Sequence, residues 1–388
     1  MRLVLVINSL GVGGAEKVLL RLAYHWSKKN HQVFLINFIK EKNFYIIEKN
    51  TNLQVINFGE KVTLKSVNII NFVKFVFNSI VRIYKLQKKI KSLNPDLIIT
   101  FMIGSNLLGL LANIFYKIPI IISERADPYN LSIPKFYKLL RRILYPYATA
   151  LIVQTKDIAN YFAKKLFKHK IFIIPNFVKT PDLSNLSDKN LLINTKFNNI
   201  KKLISIGRLD ELKDHKTLIY AFSKIANIYL DLTLTIYGEG ILRNDLKNLI
   251  ANLNLSNRIF LPGIDLNIEK HLLAADLFIF PSISEGFPNA LCEAMSYGLP
   301  VIAADCAGNM NIVTHEKDGL LFKCGDIEQL SMYILKLLNN HELANKLANN
   351  AKNIIERFNE QKILNLWDEV LEFSTCISRN MHEITSAF

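Results

Sequence analysis

Residues 284–293 (SEGFPNALCE) combine two carboxylates with a loop that leads into a helix. They follow an apolar run at 277–281, so Glu285 is predicted in a strand-to-helix loop and Glu293 one turn into the helix. A glycine and Pro288 suit a loop whose backbone approaches a ligand before the helix begins. Free N–H groups at such a helix start bind anions or sugar oxygens. The alternative is an ordinary helix start whose acidic residues favour the helix dipole.

Residues 205–213 (SIGRLDELK) place two cations after another predicted strand. Arg208 offers a planar fork of donors, and Lys213 offers a mobile point charge. Two such cations can stabilise the negative charge that develops on a leaving diphosphate. The alternative is an ordinary surface pair beside Asp210 and Glu211.

Both segments resemble the signature of the retaining glycosyltransferases of family four, which have the GT-B fold. The resemblance rests on two glutamates separated by seven residues, Gly-Phe-Pro-Asn after the first, and an Arg and a Lys five positions apart. It implies that Glu285 contacts the donor sugar and that Glu293 binds the nucleotide ribose. It also implies that Arg208 and Lys213 bind the diphosphate. The backbone at Phe287, Pro288 and Asn289 would meet sugar hydroxyls or the diphosphate.

Residues 8–16 (NSLGVGGAE) begin like a dinucleotide fingerprint, but Glu16 stands where its last glycine should be, which argues against a dehydrogenase. The family resemblance implies that Gly13 and Gly14 lie under the donor, although a tight strand-to-helix turn explains them too. Glu124 and Arg125 follow a predicted strand and are candidates for the acceptor or sugar side. Many relatives place a His near this position, so the Arg departs from the family pattern.

Short apolar runs alternate with helical segments along almost the whole chain, which predicts parallel sheets covered on both faces. The predicted strands are 3–7, 33–38, 55–58, 97–101, 120–123, 150–154, 171–174, 203–206, 232–237, 259–262, 277–281, 301–304 and 320–323. Polar residues at 177–200 indicate a linker. We therefore expect an α/β protein of GT-B type with two facing, doubly wound, Rossmann-like domains. Residues 1–185 would bind the acceptor, and residues 186–388 the nucleotide sugar. The helical tail, whose last helix can pack back on the first domain, begins near residue 327.

The first half of the chain is strongly basic, with 29 Lys and Arg against 10 Asp and Glu in residues 1–190, whereas residues 191–388 carry 19 against 23. A helix predicted at 67–93 concentrates its polar residues in one stripe, and its apolar arc is wider than a core-facing helix needs. The polar residues are Asn68, Asn71, Lys74, Asn78, Arg82, Lys85 and Lys89. We therefore expect this half to rest on an anionic membrane surface. A core helix with a solvated basic edge is the alternative, and no nucleic-acid-binding motif is visible.

No Asp-x-Asp occurs and the four cysteines form no Cys-x-x-Cys, so neither a metal nor another cofactor is expected. No secretory signal or membrane span is visible, which predicts a cytoplasmic protein on the inner face of the membrane. The expected reaction moves a hexose or N-acetylhexosamine from a nucleotide sugar to a lipid-linked or oligosaccharide acceptor. The expected nucleotide is UDP. A nucleotide-sugar epimerase or a phosphorylase on the same fold remains an alternative, and a basic nucleic-acid-binding protein is a more distant one.

Overall fold

The computed structural model describes residues 1–11, 13–39, 52–59, 69–129, 133–164, 170–181, 197 and 199–386, with the backbone alone for 69–75 and 377–386. The chain forms two compact units. Unit 1 comprises Met1–Asn176 and Gln361–Phe388, and unit 2 comprises Phe177–Glu360. The first break lies at 176/177 rather than at the expected 185/186, and the last helix packs with unit 1, as the expectation for the tail allowed. The expected linker lies mostly outside the described residues.

Unit 1 is built on a seven-stranded sheet in which every described pair of strands is parallel. Its strands are β1 (Arg2–Ser9), β2 (Gln32–Ile39), β3 (Leu53–Asn57), β4 (Leu97–Phe101), β5 (Ile120–Ser123), β6 (Ala150–Val153) and β7 (Ile171–Ile173). The helices of its first segment are α1 (Gly14–Lys28), α2 (Ile69–Leu93), α3 (Ile103–Asn113), α4 (Lys135–Leu144) and α5 (Lys156–Ala163). The strand order is β3-β2-β1-β4-β5-β6-β7. The central strands are apolar throughout because helices cover both faces of such a sheet.

Unit 2 repeats this architecture with six parallel strands in the order β10-β9-β8-β11-β12-β13. The strands are β8 (Lys202–Ile206), β9 (Thr233–Tyr237), β10 (Ile259–Gly263), β11 (Leu277–Phe280), β12 (Val301–Ala304) and β13 (Leu320–Phe322). The helices are α6 (His215–Ala226), α7 (Arg243–Asn252), α8 (Ile268–Ala274), α9 (Asn289–Ser296), α10 (Ala307–Met310), α11 (Ile327–Leu338), α12 (His341–Ala351) and α13 (Ile354–Arg357). The expected doubly wound α/β fold is confirmed in both units.

Each sheet has one point at which the strand order reverses. In unit 1 the chain runs outward from β1 through β2 and β3 and returns to β4 on the other side of β1. In unit 2 it runs outward from β8 and returns to β11. Ligands of such sheets bind at the carboxyl ends of the two strands that flank the reversal. The loops after β1 and β4, and those after β8 and β11, are therefore the places to look for a site.

The C-terminal helix α14 (Glu360–Ser386) is tied to α1 through two adjacent residues, Trp367 and Asp368. The Asp368 carboxylate accepts a hydrogen bond of 2.8 Å from Trp26 Nε1 and another of 2.8 Å from Lys29 Nζ. His25 Nε2 lies 2.9 Å from the same carboxylate. The Trp367 ring meets the Trp26 ring edge-on, with centroids 6.3 Å apart. These contacts explain why the end of the chain belongs to unit 1.

Candidate active site

The loop after β8 is supported by the loop after β9. Gly207 N donates to the Tyr237 carbonyl oxygen at 3.0 Å, and Leu209 N donates to the Glu239 carbonyl oxygen at 3.0 Å. Gly238 has φ 143°, and a side chain there would collide with the Gly207 carbonyl oxygen. Only glycine lets the two backbones approach this closely. The loop that carries the predicted cations is thus held rigidly at the carboxyl edge.

The loop after β11 joins the β8 loop and brings a cation and a carboxylate together. Ile283 N donates to the Leu212 carbonyl oxygen at 3.0 Å. Ser282 Oγ lies 2.6 Å from Glu285 Oε1 and 3.2 Å from the same Leu212 carbonyl oxygen. Lys213 Nζ forms a salt bridge with Glu285 Oε1. Two of the residues predicted from distant motifs therefore meet at the strand-order reversal of unit 2.

The two predicted cations differ in how tightly they are held. Lys213 is largely buried, is paired with Glu285, and lies 5.5 Å from the centroid of the Phe280 ring. The Arg208 side chain is 71% exposed and pairs with Asp210 at 3.1 Å. Exposed ion pairs contribute little free energy. Arg208 can therefore exchange Asp210 for an incoming anion, whereas Lys213 is already positioned.

The backbone of Glu285 is packed against α10, the short helix after β12. A Cβ at Gly308 would lie 2.6 Å from Glu285 Cβ, so a larger residue would push Glu285 aside. The neighbouring Asn309 is fully buried and donates from Nδ2 to the Ala304 carbonyl oxygen at 2.9 Å. The loops after β8 and β11, together with α10 after β12, thus fix one carboxylate at the edge of the sheet.

The segment after Glu285 only partly matches its expected role. The Phe287 side chain is buried against Phe358, with ring centroids 5.2 Å apart, so it belongs to the core. Asn289 N donates to the Phe287 carbonyl oxygen at 3.0 Å, and Pro288 has no N–H. Of the three backbone positions, only the Phe287 N–H remains a candidate donor to a ligand. Glu293 lies half-buried in α9.

Some residues at this edge were not predicted from the sequence. Burial and the nearby Lys213 charge lower the pKa of His215 to about 4, so its imidazole is neutral at pH 7. Ser282, Gly308 and Asn309 were also missed, although each follows a strand end and could have been noticed for that reason. Among the residues with described side chains, no three His, Cys, Asp or Glu group closely enough to hold a metal ion.

The glycine turn of unit 1 lies at the reversal next to β1, as expected for a binding loop. Gly13 is the N-cap of α1, with no side chain to cap it. A side chain at Gly13 would collide with the Glu16 carboxylate, which therefore lies against this glycine. The expected contact of Gly13 and Gly14 with the donor stays a prediction.

Glu124 and Arg125 follow β5 but face different surroundings. The Glu124 carboxylate is buried, accepts a hydrogen bond from the Tyr145 hydroxyl and lies 3.9 Å from Arg141 Nη1. Burial raises the pKa of Glu124 more than these two partners lower it. Its carboxylate is thus turned into the core, which argues against direct contact with an acceptor. Arg125 Nη1 donates to Asn176 Oδ1 at 2.6 Å.

The outer sides of α2 and α4 carry exposed apolar residues next to bases. We call this the α2–α4 face. It comprises Phe77, Ile80, Tyr84, Phe136, Leu139 and Ile143, with Lys88, Lys91, Lys135, Lys138 and Arg142. Phe77 is 64% and Leu139 55% exposed. Both helices pack against the same hydrophobic core of unit 1, with Ile83 of α2 and Tyr137 of α4 in contact with it.

The polar stripe predicted on α2 faces the protein rather than the solvent, whereas a solvated basic edge would be exposed. Arg82 is buried, with its guanidinium 5.5 Å from the centroid of the Phe38 ring, and Asn78, Lys85 and Lys89 are half-buried. The side chains of Asn68, Asn71 and Lys74 lie outside the described residues. In the described part of the chain, no helix is both long and apolar enough to cross a membrane.

Two family models together match most of the chain. Residues 12–181 match the model of Glycosyltransferase Family 4, and residues 188–354 match that of Glycosyl transferases group 1. A relative from Campylobacter jejuni is 28% identical over 376 residues, which cover 93% of this chain and 97% of the relative. It is the N-acetylgalactosamine-N,N'-diacetylbacillosaminyl-diphospho-undecaprenol 4-alpha-N-acetylgalactosaminyltransferase.

A relative from Escherichia coli, UDP-Gal:alpha-D-GlcNAc-diphosphoundecaprenol alpha-1,3-galactosyltransferase, is 30% identical over 296 residues. The match covers 72% of this chain and 75% of the relative. Among solved structures, Anabaena HepE in complex with UDP and glucose superposes with a TM-score of 0.77 at 20% identity, over 96% of this chain and 99% of that one. At this identity the structural likeness concerns the fold, which is of GT-B type.

Proposed function

Since the chain belongs to the family 4 glycosyltransferases, we propose that it transfers a hexose or N-acetylhexosamine from a UDP-sugar to a lipid-linked or growing cell-surface glycan, with retention of configuration. The observation that carries the proposal is the meeting of Lys213 and Glu285 at the strand-order reversal of unit 2. Both relatives are named for diphospho-undecaprenol acceptors, and the HepE structure contains UDP. We assign the donor to unit 2 and the acceptor to unit 1.

In the proposed reaction the bond between the anomeric carbon and the diphosphate breaks, and the acceptor oxygen bonds to that carbon from the same face. The acceptor proton passes to the departing phosphate oxygen, so no separate general base is required. Arg208 and Lys213 stabilise the charge that develops on the diphosphate. Glu285 holds Lys213 in place and contacts the sugar. Glu293 binds the ribose.

Transfer is expected to be insensitive to EDTA, because two cationic side chains take the place that a divalent ion would occupy at the diphosphate. The measurement is the initial rate of glycan product formation after dialysis against EDTA, compared with the rate after addition of Mg²⁺ or Mn²⁺. Activity that disappears with EDTA and returns with either ion would overturn the roles of Arg208 and Lys213.

The reaction itself is tested by incubating a panel of nucleotide sugars with the chain, with and without a lipid-diphosphate glycan. The proposal expects an extended glycan and free nucleoside diphosphate in the presence of the acceptor. Conversion of the donor to an epimer without an acceptor, or transfer to inorganic phosphate alone, would contradict it. The anomeric configuration of the product, read by NMR, tests retention separately.

We also propose that unit 1 rests on the cytoplasmic surface of an anionic membrane through the α2–α4 face. Exposed aromatic and aliphatic side chains beside lysines and an arginine suit the interface between headgroups and acyl chains. Each base near such a surface contributes about 1 kcal/mol. A lipid-linked acceptor would then be presented beside the unit that binds it. No nucleic-acid partner is proposed.

Replacing Ile80, Leu139 and Ile143 together by Ser is expected to weaken binding to vesicles containing phosphatidylglycerol by about tenfold or more, because apolar contact area is lost. Co-sedimentation measures the bound fraction. The matched control replaces Ile228 and Leu230, exposed apolar residues of unit 2, by Ser and should bind like the wild type. Unchanged binding of the triple variant would exclude the face, and equal binding to neutral vesicles would exclude its electrostatic part.

A further inference from the structure

Arg125 is a cation held in place at the carboxyl edge of unit 1, two residues beyond β5. Its guanidinium carbon lies 4.3 Å from the centroid of the Phe101 ring and 5.5 Å from that of Trp367. These two rings are stacked, with centroids 5.6 Å apart. Nη1 donates to Asn176 Oδ1 at 2.6 Å. Because Phe101 ends β4, the guanidinium reaches back to the strand-order reversal of unit 1.

One edge of this guanidinium has unmade hydrogen bonds. Nε and Nη2 are both buried, and neither has a hydrogen-bond partner among the described residues. Arg258 of unit 2, by contrast, has a hydrogen-bond acceptor for each of its three guanidinium nitrogens. Its Nε, Nη1 and Nη2 donate to the carbonyl oxygens of Leu232, Ala226 and Tyr229 at 2.6, 3.2 and 2.5 Å. Leaving donors of a buried cation without acceptors is unfavourable, so a ligand that supplies acceptors would be favoured at this edge.

The free edge has the geometry of an anion receptor. Nε–H and Nη2–H point in parallel, and two such donors bind the two oxygens of a phosphate or carboxylate together. Burial lowers the pKa of Arg125 to about 9, so the guanidinium is charged at neutral pH. Its neighbour Glu124 is turned towards Tyr145 and does not neutralise it. Low local polarity strengthens the attraction for an anion.

We propose that the Nε and Nη2 edge of Arg125 binds a phosphate group of the acceptor, an inference that rests on the proposed function. The cations assigned to the donor diphosphate lie in unit 2, whereas Arg125 lies in the unit assigned to the acceptor. Gln154 Oε1, just beyond β6, also has no partner among the described residues and offers an acceptor for a ligand hydroxyl.

The test compares two acceptors that carry the same glycan, one on a lipid diphosphate and one on an uncharged alkyl chain. With Arg125→Gln, kcat/KM for the diphosphate acceptor should fall about 10- to 100-fold, as expected when a charged hydrogen-bond donor is lost. The values for the uncharged acceptor and the KM for the donor should change less than about twofold. Arg125→Lys keeps the charge without the fork and should lose about fivefold to tenfold on the diphosphate acceptor.

Equal losses on both acceptors, no loss on either, or a raised donor KM would overturn the inference. The last result would assign the edge to the donor phosphate instead. If the melting temperature shows that Arg125→Gln does not fold, the test rests on Arg125→Lys alone. The deciding quantity is then the difference between its losses of kcat/KM on the two acceptors. Arg258→Lys, at a half-buried arginine of unit 2, is the control and should not separate the acceptors. Failure of the wild type to glycosylate either acceptor would refute the proposed function, which is a distinct outcome.

Discussion

Replacing Glu285 by Gln is expected to lower kcat/KM for transfer by about 10²- to 10³-fold, the range found when one preorganised polar contact to a transition state is removed. The neutral amide no longer pairs with Lys213, so the ammonium loses its fixed position at the diphosphate. The contact to the sugar is weakened at the same time. The measurement is the rate of product formation, with circular dichroism and the melting temperature as checks of the fold.

Glu328→Gln is the matched control, because Glu328 is an exposed carboxylate of unit 2 paired with Lys224 at 2.6 Å. It should retain wild-type turnover, since exposed pairs contribute little. Turnover of Glu285→Gln within about threefold of the wild type, with a normal melting temperature, would remove Glu285 from the reaction.

Replacing Lys213 by Met is expected to lower kcat by about 10²- to 10³-fold, because the leaving diphosphate loses a fixed positive charge. Methionine keeps much of the side-chain volume, and the Phe280 ring below it stays covered. Arg208→Ala should lower kcat less. The Arg208 side chain is largely exposed, so binding the diphosphate costs it side-chain entropy that offsets part of the gain. Steady-state kinetics with the donor varied separates kcat from KM.

Lys216→Met provides the comparison for Lys213, because Lys216 lies three residues away and only pairs with exposed Glu211 at 3.7 Å. We expect wild-type kinetics for it. If both lysine variants lose the same activity, general surface charge rather than a positioned ammonium would account for the effect.

The strands could be predicted from the sequence to within one or two residues at each end. The reason is physical: parallel strands covered on both faces are short, continuous apolar runs, and turns bound them. The strand β4 occupies 97–101 as predicted, and β12 occupies 301–304. That Glu285 and Lys213 lie at one edge also follows from placing both motifs after strands, since the carboxyl ends of parallel strands share that edge.

Side-chain direction could not be predicted in the same way. Phe287 stands in a ligand-binding motif but packs on Phe358, and Glu124 follows a strand end but turns towards Tyr145. Both outcomes depend on partners distant in sequence. The same holds for Trp367, which is an ordinary apolar residue of a helical tail until α14 places it on Phe101. On α2, periodicity separated the polar stripe from the apolar arc but did not tell which of them faces inward.

Titration of wild type and Lys213→Met with UDP and with uridine tests most directly whether the edge of unit 2 binds a nucleoside diphosphate. Isothermal calorimetry should show UDP bound by the wild type and bound about 10- to 100-fold more weakly by the variant, while uridine binds both proteins equally. Equal UDP affinity in the two proteins, or a parallel loss of uridine affinity, would contradict the assignment of Lys213 to the diphosphate.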